Sequence, residues 1–543
     1  MSDATVPAST ARSGSQIVLL TLAAGQFLMT LDSSVMNVSI ATVADDLGTT
    51  VTGIQTAITA YTLVMAALMI TGGKIGGIIG RKRAFAIGCI IYGCGSFTTA
   101  LAPNLGVLLF GWSFLEGVGA ALILPAIVAL VAGNFPTARR PAAYGMIAAA
   151  GAIAIAVGPL IGGFCTTYFS WRWVFAGEVV VVLVILLLAR RIVDAPVEKP
   201  PTLDLVGSGL SALGLGLLVF GVLRSGEWGW IIPKEGQPSW AGLSPTVWLV
   251  LAGLFVIWCF FRWEARRERV GKEPLLRPGM LRNRRLIGGL TMFFFQFLAQ
   301  AGLFFVIPLF LSVVLGLSAL ATGARLLPLS ISLLIAALAI PRLWPQISPR
   351  LVVRSGLFCV LAGTLVLLGA LEPDAGAEIV TIPLLLIGLG IGALASQLGA
   401  VTVSAVPDGE APEVGGVQNT MTNLGASLGT AVAGSILFAV LTSSFLTNIE
   451  NNPAIPASVK SRADTKITGS VPFISDADLE AALKEANVDQ QTSEAATTAY
   501  QDARITGLKS ALAVLALLTL VALFLAQLIP RRQPGRAPPA VSA

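Results

Sequence analysis

The chain has 543 residues, of which 55% are hydrophobic and only 12% are charged, and its mean hydropathy is +0.82. This composition excludes an ordinary soluble globular protein, because a soluble surface on a chain of this length carries far more charge. No histidine is present, so proton transfer near neutral pH falls to carboxyl groups. The five cysteines lie in or beside apolar runs and form no C-x-x-C pair, which favours packing roles over disulfides or metal ligation.

Apolar runs of about 20 residues, the length that crosses a bilayer as a helix, recur from end to end. The sequence therefore predicts an all-α polytopic membrane protein. The first run leads into polar residues without a small-residue cleavage site, which indicates a first transmembrane helix and not a cleaved signal peptide. Fourteen spans are predicted, at 17–40, 52–73, 84–102, 105–130, 142–165, 173–189, 205–223, 246–261, 286–314, 319–341, 355–371, 379–405, 414–445 and 507–529.

Basic residues predict the orientation of these spans. Lys and Arg concentrate in alternate short segments, and the positive-inside rule then places both termini in the cytoplasm. The segment 262–285 alone holds nine basic residues. It could bind anionic lipid headgroups, and an ordinary topological signal explains it equally well.

Small residues and prolines recur at a constant offset of 271 residues. One such match is uninformative, because small residues are common in membrane helices, but several in register indicate a repeat. The repeat predicts two six-helix bundles separated by two inserted helices, a pattern typical of transporters. The matching pairs are Gly117 and Gly388, Gly119 and Gly390, Pro136 and Pro407, Pro141 and Pro412, Gly145 and Gly416, Gly158 and Gly429, and Gly163 and Gly434.

The repeat and the spans together predict the domain organisation. Within the long extracytoplasmic loop, a capping-box pattern at 475–478 predicts a short surface helix over 475–488. The predicted parts are a cytoplasmic tail 1–16, an N-terminal six-helix bundle 17–189, a segment 190–285 with two inserted helices (205–223 and 246–261) and a basic cytoplasmic linker, a C-terminal six-helix bundle 286–529 that contains loop 446–506, and a cytoplasmic tail 530–543.

Four motifs resemble those of drug:proton antiporters in the major facilitator superfamily, and fourteen spans resemble its EmrB/QacA-type branch. They are LDSSVMNVSIA at 31–41, GKIGGIIGRKRAF at 73–85, AIAVGPLIGG at 154–163 and SWRWVF at 170–175. The resemblance implies an exporter driven by the proton gradient. It assigns Gly73, Gly80, Arg81 and Lys82 to a cytoplasmic loop motif and Gly158, Pro159, Gly162 and Gly163 to an antiporter motif.

The chain departs from the family pattern at charged positions. Gly77 stands where the loop motif has Asp, and Ser113 stands where the fourth helix has Arg. Glu116 replaces a Gln and Glu178 replaces an Asn. Two expected charges are missing and two carboxyl groups are new, so coupling through a fourth-helix arginine is not available to this chain.

Asp32, Glu116 and Glu178 lie within predicted spans of the N-terminal bundle that hold no Lys or Arg well inside the membrane. Three unpaired carboxylates cannot all stay ionised in a low dielectric, so they are candidates for proton uptake and release and for a negative site at which a cationic substrate competes with the proton. Ser113 is expected on the helical face of Glu116. Simpler roles stay open: a hydrogen bond at a kink near Asn37 for Asp32, an interhelical hydrogen bond for Glu116, and a headgroup contact for Glu178.

Polar side chains within other spans are candidates for a cavity lining, although helix–helix contacts explain each of them singly. A G-x-S-x-G pattern at 425–429 lies in an apolar span, and no Ser-His-Asp triad is possible without histidine. The cavity candidates are Gln26, Asn37, Gln55, Ser113, Gln296, Gln300, Gln397 and Asn423.

These observations predict a proton-gradient-driven multidrug efflux antiporter of the plasma membrane that exports amphipathic, cationic compounds. The alternative on the same fold is an exporter or flippase of a lipid, siderophore or peptide. The expected partners are small amphipathic molecules, protons and membrane lipids. No enzyme activity, cofactor, metal or nucleic acid is expected, and the protein is predicted to be a monomer.

Overall fold

A computed structural model describes residues 8–135, 139–194, 202–234, 236–344, 346–372, 375–406, 411–453, 455–456, 471–486 and 488–531. Residues 1–7 and 532–543 of the two predicted tails, and the repeat positions Pro136 and Pro407, lie outside these residues. The described chain is built from helices, which we number in chain order. They are α1 (Ala8–Asp46), α2 (Val51–Ile79), α3 (Arg81–Ala100), α4 (Leu105–Leu108, Leu109–Glu116 and Gly117–Asn134 in succession), α5 (Arg140–Tyr168), α6 (Arg172–Ala189), α7 (Leu205–Trp228), α8 (Pro245–Arg269), α9 (Arg284–Leu309), α10 (Ala319–Arg325 and Leu327–Leu343), α11 (Pro349–Ala370), α12 (Thr381–Val403), α13 (Ala411–Asn451), α14 (Asp476–Glu485) and α15 (Gln490–Leu525).

Thirteen of the described helices are long and apolar enough to cross a membrane. The predicted all-α polytopic fold is therefore confirmed. The remaining predicted span, 84–102, corresponds to α3, which is 20 residues long but opens with three basic residues and is rich in Gly, Ser and Thr. It packs between α4 and α6 and therefore needs less apolar surface than a helix that faces lipid.

The predicted long loop 446–506 is shorter in the structure than in the sequence analysis. Helix α13 continues to Asn451, and α15 already begins at Gln490. Hydropathy locates only the apolar part of such a helix, whereas the Ala-rich stretch before residue 507 keeps helical backbone bonds beyond it. The predicted surface helix is confirmed as α14, with a capping box formed by Ser475 and Asp478.

The segment between α13 and α14 is tied to the helices beneath it. The Val471 amide donates to the Thr442 hydroxyl of α13 (3.0 Å), and the Tyr500 hydroxyl of α15 donates to the Pro472 carbonyl (2.7 Å). The buried Arg504 guanidinium donates to the Ile474 carbonyl (2.8 Å). The described part of this loop is thus packed onto the bundle and is not a detached appendage.

We call residues 8–194 the N half and residues 284–531 the C half. Within the N half, α1 packs on α5, α2 on α4, and α3 on α4 and α6. Within the C half, α9 packs on α13, α12 on α10 and α11, and α15 on α13. The hairpin of α7 and α8 lies between the halves in sequence, and α7 contacts both α2 and α13. The Ser435 hydroxyl of α13 donates to the Val222 carbonyl of α7 (2.9 Å).

We call the end that carries residues 262–285 the arginine-rich end, and the end that carries residues 471–489 the loop end. The halves meet closely at the loop end. The Leu320 amide of α10 donates to the Thr167 hydroxyl of α5 (3.0 Å), and the Gln55 amide of α2 donates to the Thr430 carbonyl of α13 (2.9 Å). Near the arginine-rich end, a Cβ added at Gly145 of α5 would meet no atom within 4 Å.

Candidate functional site

The three acids that the sequence singles out meet inside the N half. Asp32 comes from the middle of α1, Glu116 from α4 and Glu178 from α6, and one carboxyl oxygen of each lies within 4.8 Å of the other two. All three side chains are buried, with at most 2% of their surface exposed. Two unit negative charges about 5 Å apart repel by about 3 kcal/mol at an effective dielectric of about 20. We call these residues the carboxyl triad.

Asp32 is held by an aromatic pair. The Trp112 indole N–H of α4 lies 2.9 Å from both carboxyl oxygens of Asp32 and donates to them. The Tyr61 ring of α2 stacks on that indole, with ring centroids 5.2 Å apart. The buried Tyr61 hydroxyl faces Asp32 but has no hydrogen-bond partner. The Asp32 carboxyl therefore sits against hydrogen-bond donors and apolar rings.

Polar side chains on one face of α3 contact Glu116 and Glu178. The Ser96 and Tyr92 hydroxyls lie 3.1 and 3.3 Å from Glu178 Oε2, and the Thr99 hydroxyl lies 3.4 Å from Glu116 Oε1. The second oxygens, Glu116 Oε2 and Glu178 Oε1, are buried without a partner. In the described part of the chain, none of the ion pairs includes a member of the triad.

Local backbone geometry places Glu116 in this cluster. Residues 109–116 form a π-helical segment, and Gly95 of α3 leaves room for the Glu116 side chain, since a Cβ there would lie 2.6 Å from Glu116 Cγ. Ser113 is expected on the face of Glu116 from an α-helical turn. Its hydroxyl donates to the Ala57 carbonyl of α2 (2.8 Å), and the wider π-helical turn of residues 109–116 increases the angle between side chains three residues apart.

The polar cavity candidates do not form one cluster. Gln55 bridges the halves, and Ser113 joins two helices of the N half. Gln296 and Gln300 of α9 are buried, and each has a side-chain oxygen without a partner. The others make local bonds: Gln26 to Thr30 (3.1 Å), Asn37 to the Ser33 carbonyl (2.7 Å), Gln397 to Ser396 (3.3 Å) and Asn423 to the Asn419 carbonyl (2.9 Å).

Asn37 also lines a cavity of about 10 Å³ between the halves, which has room for about one water molecule. None of the residues that line it carries a charge. From the N half these are Ser34, Asn37, Val38, Ile155 and Pro159, and from the C half Phe304, Pro308, Leu326, Leu329 and Ser330.

The antiporter motif in α5 lies where three helices touch. A Cβ at Gly158 would lie 2.6 Å from Ser34 of α1, and a Cβ at Gly162 would lie 2.8 Å from Val35 of the same helix. A Cβ at Gly163 would lie 2.5 Å from the Ala319 carbonyl oxygen of α10. The Pro159 carbonyl in turn packs on Gly323 of α10, where a Cβ would approach to 2.2 Å. These small residues let α5 contact both α1 and the C half.

The loop motif between α2 and α3 forms the N-terminus of α3, which the Asp194 carboxylate caps. Gly80 adopts φ +100°, a conformation that favours glycine. The Arg81 and Lys82 amides donate to the two carboxyl oxygens of Asp194 (3.1 and 3.2 Å), which lies beyond α6. A carboxylate at a helix N-terminus is favourable because it accepts free amide hydrogens and faces the positive end of the helix dipole. Gly73 packs near Pro125 of α4.

The sequence analysis missed several residues that build the site. Tyr92, Ser96 and Thr99 are spaced by four and three residues, so a polar stripe on α3 was visible in the sequence. Trp112 is a polar-tipped aromatic residue one turn before Glu116, which is a weaker signal. Asp194 gave no sequence signal, because its partners lie more than a hundred residues away.

Two packed halves of long apolar helices, with a buried acidic cluster and glycine-lined contacts between the halves, define a multi-pass membrane transporter. Residues 22–430 match the family described as Major Facilitator Superfamily. The chain belongs to the Major Facilitator Superfamily.

Its relatives include resistance and export proteins. The chain is 32% identical over 442 residues to the puromycin resistance protein of Streptomyces alboniger, a match that covers 80% of this chain and 84% of that protein. It is 29% identical over 438 residues to the tetracenomycin C resistance and export protein of Streptomyces glaucescens, covering 79% and 77%. The crystal structure of a bacterial homologue of the human lysosomal transporter Spinster shares the fold, with a TM-score of 0.59, 14% identity and coverage of 95% and 98%.

Proposed function

We propose that the protein is an efflux antiporter of the fourteen-helix branch that exports amphipathic organic compounds, cations among them, in exchange for protons. It works in the plasma membrane with the arginine-rich end and both termini in the cytoplasm. The observation that carries the proposal is the carboxyl triad, which is buried in the N half and has no basic residue hydrogen-bonded or ion-paired to it among the described residues. Such a group is stable only if it is at least partly protonated, because ionised carboxylates there would have no balancing charge, and carboxyl groups that gain and lose protons are what proton coupling requires.

Helix α1 links the triad to α5 and α10, the helices that we expect to move during transport. Asp32 binds Trp112, while the adjacent Ser34 and Val35 pack on Gly158 and Gly162 of α5. Because α5 also touches α10 of the C half, α1 and α5 form a packed path from Asp32 to one of the contacts between the halves. Protonation and closure of the loop end are thereby coupled.

The substrate passes between the halves and not through the triad. The triad is fully enclosed in this state, so a compound at the interface does not contact Glu116 or Glu178. The close contacts at the loop end support a state that is closed at that end. The resistance proteins among the relatives support organic antibiotics as cargo. A net negative charge in the N half lowers the energy of a cation in the adjacent cavity.

The test is transport in proteoliposomes. Puromycin, lincomycin and tetracenomycin C are screened for uptake driven by an acidic lumen, and the best transported compound is used with variants. Glu116→Gln keeps the shape of the side chain but cannot ionise, so gradient-driven uptake should fall at least tenfold while exchange of labelled for unlabelled compound persists.

Glu480→Gln is the matched control, because Glu480 is exposed on α14 far from the triad, and it should transport normally. Wild-type rates and an unchanged pH dependence for Glu116→Gln would contradict the role of the triad. Absence of gradient-driven transport of all three compounds by the wild-type protein would count against the proposed cargo.

A further inference from the structure

We infer that the exposed side of α8 carries a binding site for an anionic phospholipid, whose headgroup phosphate is bound by Arg262 and Arg266. The inference does not rest on the proposed transport function. The sequence alone allows two interpretations of the basic segment 262–285, lipid binding and an ordinary topological signal. The structure separates the arginines of this segment by what each of them contacts.

Helix α8 is the least buried span of the described chain. Protein buries only 17% of its apolar part, the lowest share among the thirteen spans. Exposed side chains recur every three or four residues, so they form one stripe along the helix. The stripe, which we call the α8 stripe, contains Leu251 (54% exposed), Phe255 (62%) and Trp258 (56%), followed by the exposed Arg262 and Arg266. Apolar residues followed by a tryptophan and two arginines match the order of acyl chain and headgroup in a phospholipid.

Arg262 and Arg266 differ from their neighbour Arg267 in their partners. Arg267 is turned toward the protein, where its guanidinium forms an ion pair with Asp204 (3.1 Å) and donates to the Glu273 carbonyl (2.9 Å). The guanidinium groups of Arg262 and Arg266 form no ion pair and no hydrogen bond within the described chain. Two unpaired guanidinium groups one helical turn apart are therefore available for an anion, and their planar donor geometry suits phosphate oxygens.

The position of this pair along α8 suits a headgroup at the membrane surface. The Arg262 guanidinium lies over the Trp258 ring, 5.7 Å from its centroid, and an exposed indole at the end of a span is typical of the headgroup level. With a rise of about 1.5 Å per residue, Arg262 and Arg266 follow Trp258 by about 6 and about 12 Å. Helical side chains tilt toward the N-terminus of their helix, which is here the apolar end, so both guanidinium groups reach back toward that level.

The acidic residues next to the pair face the opposite side of α8. Glu264 is buried and accepts the Leu275 amide of the following segment (2.6 Å). Glu268 faces the same segment, since a Cβ at Gly279 would lie 3.9 Å from Glu268 Oε1. The α8 stripe thus keeps its positive charge, and it attracts an anionic lipid more strongly than a zwitterionic one.

The experiment is native mass spectrometry of the purified full-length protein in neutral detergent, titrated with phosphatidylglycerol or with phosphatidylcholine of the same acyl chains. The wild type should bind the first phosphatidylglycerol about tenfold more tightly than phosphatidylcholine. Arg262→Gln/Arg266→Gln should weaken that binding about thirtyfold, because each basic residue near an anionic lipid contributes about fivefold. Arg282→Gln/Arg285→Gln is the matched control, since it removes the same charge from exposed positions of the same segment outside α8, and it should leave this binding step unchanged.

Equal binding of the two lipids by the wild type, or equal weakening by both double variants, would overturn the inference, because general attraction to the basic segment would then be sufficient. Excess inorganic phosphate should not displace the lipid, since it has no acyl chains to lie on the α8 stripe. Displacement by phosphate would assign the two arginines to a soluble anion instead and would also overturn the inference.

A second variant tests the site without removing a charge. Trp258→Leu stays apolar but removes the ring beneath Arg262, and it should weaken phosphatidylglycerol binding about threefold. Unchanged binding in this variant would contradict the position assigned to the headgroup. Size-exclusion profiles show that each variant is folded. The outcome is separable from that of the proposed function, because none of these residues belongs to the carboxyl triad, and loss of lipid selectivity would leave the proton-driven transport proposal untouched.

Discussion

The arrangement of the triad depends most directly on the indole side chain of Trp112. It donates to both oxygens of Asp32 and stacks on Tyr61, and it lies on the π-helical segment that ends at Glu116. One side chain thus connects the acid of α1 with the helix that carries a second acid. A hydrogen bond to a charged group contributes about 1.5–3 kcal/mol, which corresponds to at least about a tenfold effect on an equilibrium.

We predict that Trp112→Phe lowers gradient-driven transport about tenfold, because the ring remains but its donor to Asp32 is lost. Trp248→Phe is the control, since the Trp248 indole also donates a hydrogen bond (2.9 Å, to the Trp240 carbonyl) but lies at an exposed position far from the acids. The measurement is initial uptake in proteoliposomes. Equal rates for both variants would show that Trp112 only fills space.

At the scale of the helices, α5 and α10 form one of the close contacts between the halves, and α2 and α13 form another. The backbones of α5 and α10 approach at Gly163 and Gly323, where a side chain would meet a carbonyl oxygen. The contact closes the loop end, and Asn37 lines the small cavity beside it. The closed state therefore depends on the absence of a Cβ at these glycines.

Gly163→Ala is expected to prevent this closure, because the new Cβ would lie 2.5 Å from the Ala319 carbonyl oxygen. Gly145→Ala in the same helix is the matched control, since its Cβ would meet no atom within 4 Å. A cysteine placed at Asn37 in a background without native cysteines should react faster with an impermeant reagent applied at the loop end in Gly163→Ala. No change in labelling would mean that the helices shift to accommodate the methyl group.

How much of this architecture can be predicted from the sequence depends on how far apart in the chain the interacting residues lie. The helices and the acids Asp32, Glu116 and Glu178 were found because an apolar run and an acid inside it are local signals. The convergence of the three acids could not be predicted, because it requires the π-helical register of α4 and the space left by Gly95 of α3. The continuation of α13 and α15 beyond their apolar parts was missed because hydropathy marks only the apolar part of a helix, and contacts with residues 471–476 accompany the extended parts.

At the scale of the whole molecule, the orientation can be tested without transport. Ala477→Cys lies on α14 at the loop end, and Lys272→Cys lies in the exposed basic segment at the arginine-rich end. In intact cells an impermeant thiol reagent should label the first and not the second, because the excess of basic residues is expected on the cytoplasmic side. Labelling of Lys272→Cys alone would reverse the orientation.

Under the proposed function, the number of protons exchanged in each cycle has an electrical consequence. If two protons enter for each monovalent cation that leaves, every cycle moves one net positive charge inward. Transport of singly charged puromycin at equal pH on both sides should then be driven by a potassium diffusion potential, and Glu178→Gln should reduce that dependence. Transport that responds to the pH gradient but not to voltage would indicate one proton per cycle.

The halves contact each other along two lines, α2 with α13 and α5 with α10, which we call seams. The hairpin of α7 and α8 covers one of these seams and not the other. Helix α7 touches α2 and α13, so the seam where those helices meet is covered by protein along the bilayer. The seam between α5 and α10 has no such cover from the hairpin in the described structure. The α5–α10 flank is therefore the one that a hydrophobic compound dissolved in the membrane can reach, whereas the hairpin covers the α2–α13 flank. Under the proposed function, we expect cargo that enters sideways from the lipid to do so at the α5–α10 flank, where it would meet the glycine-lined contact first.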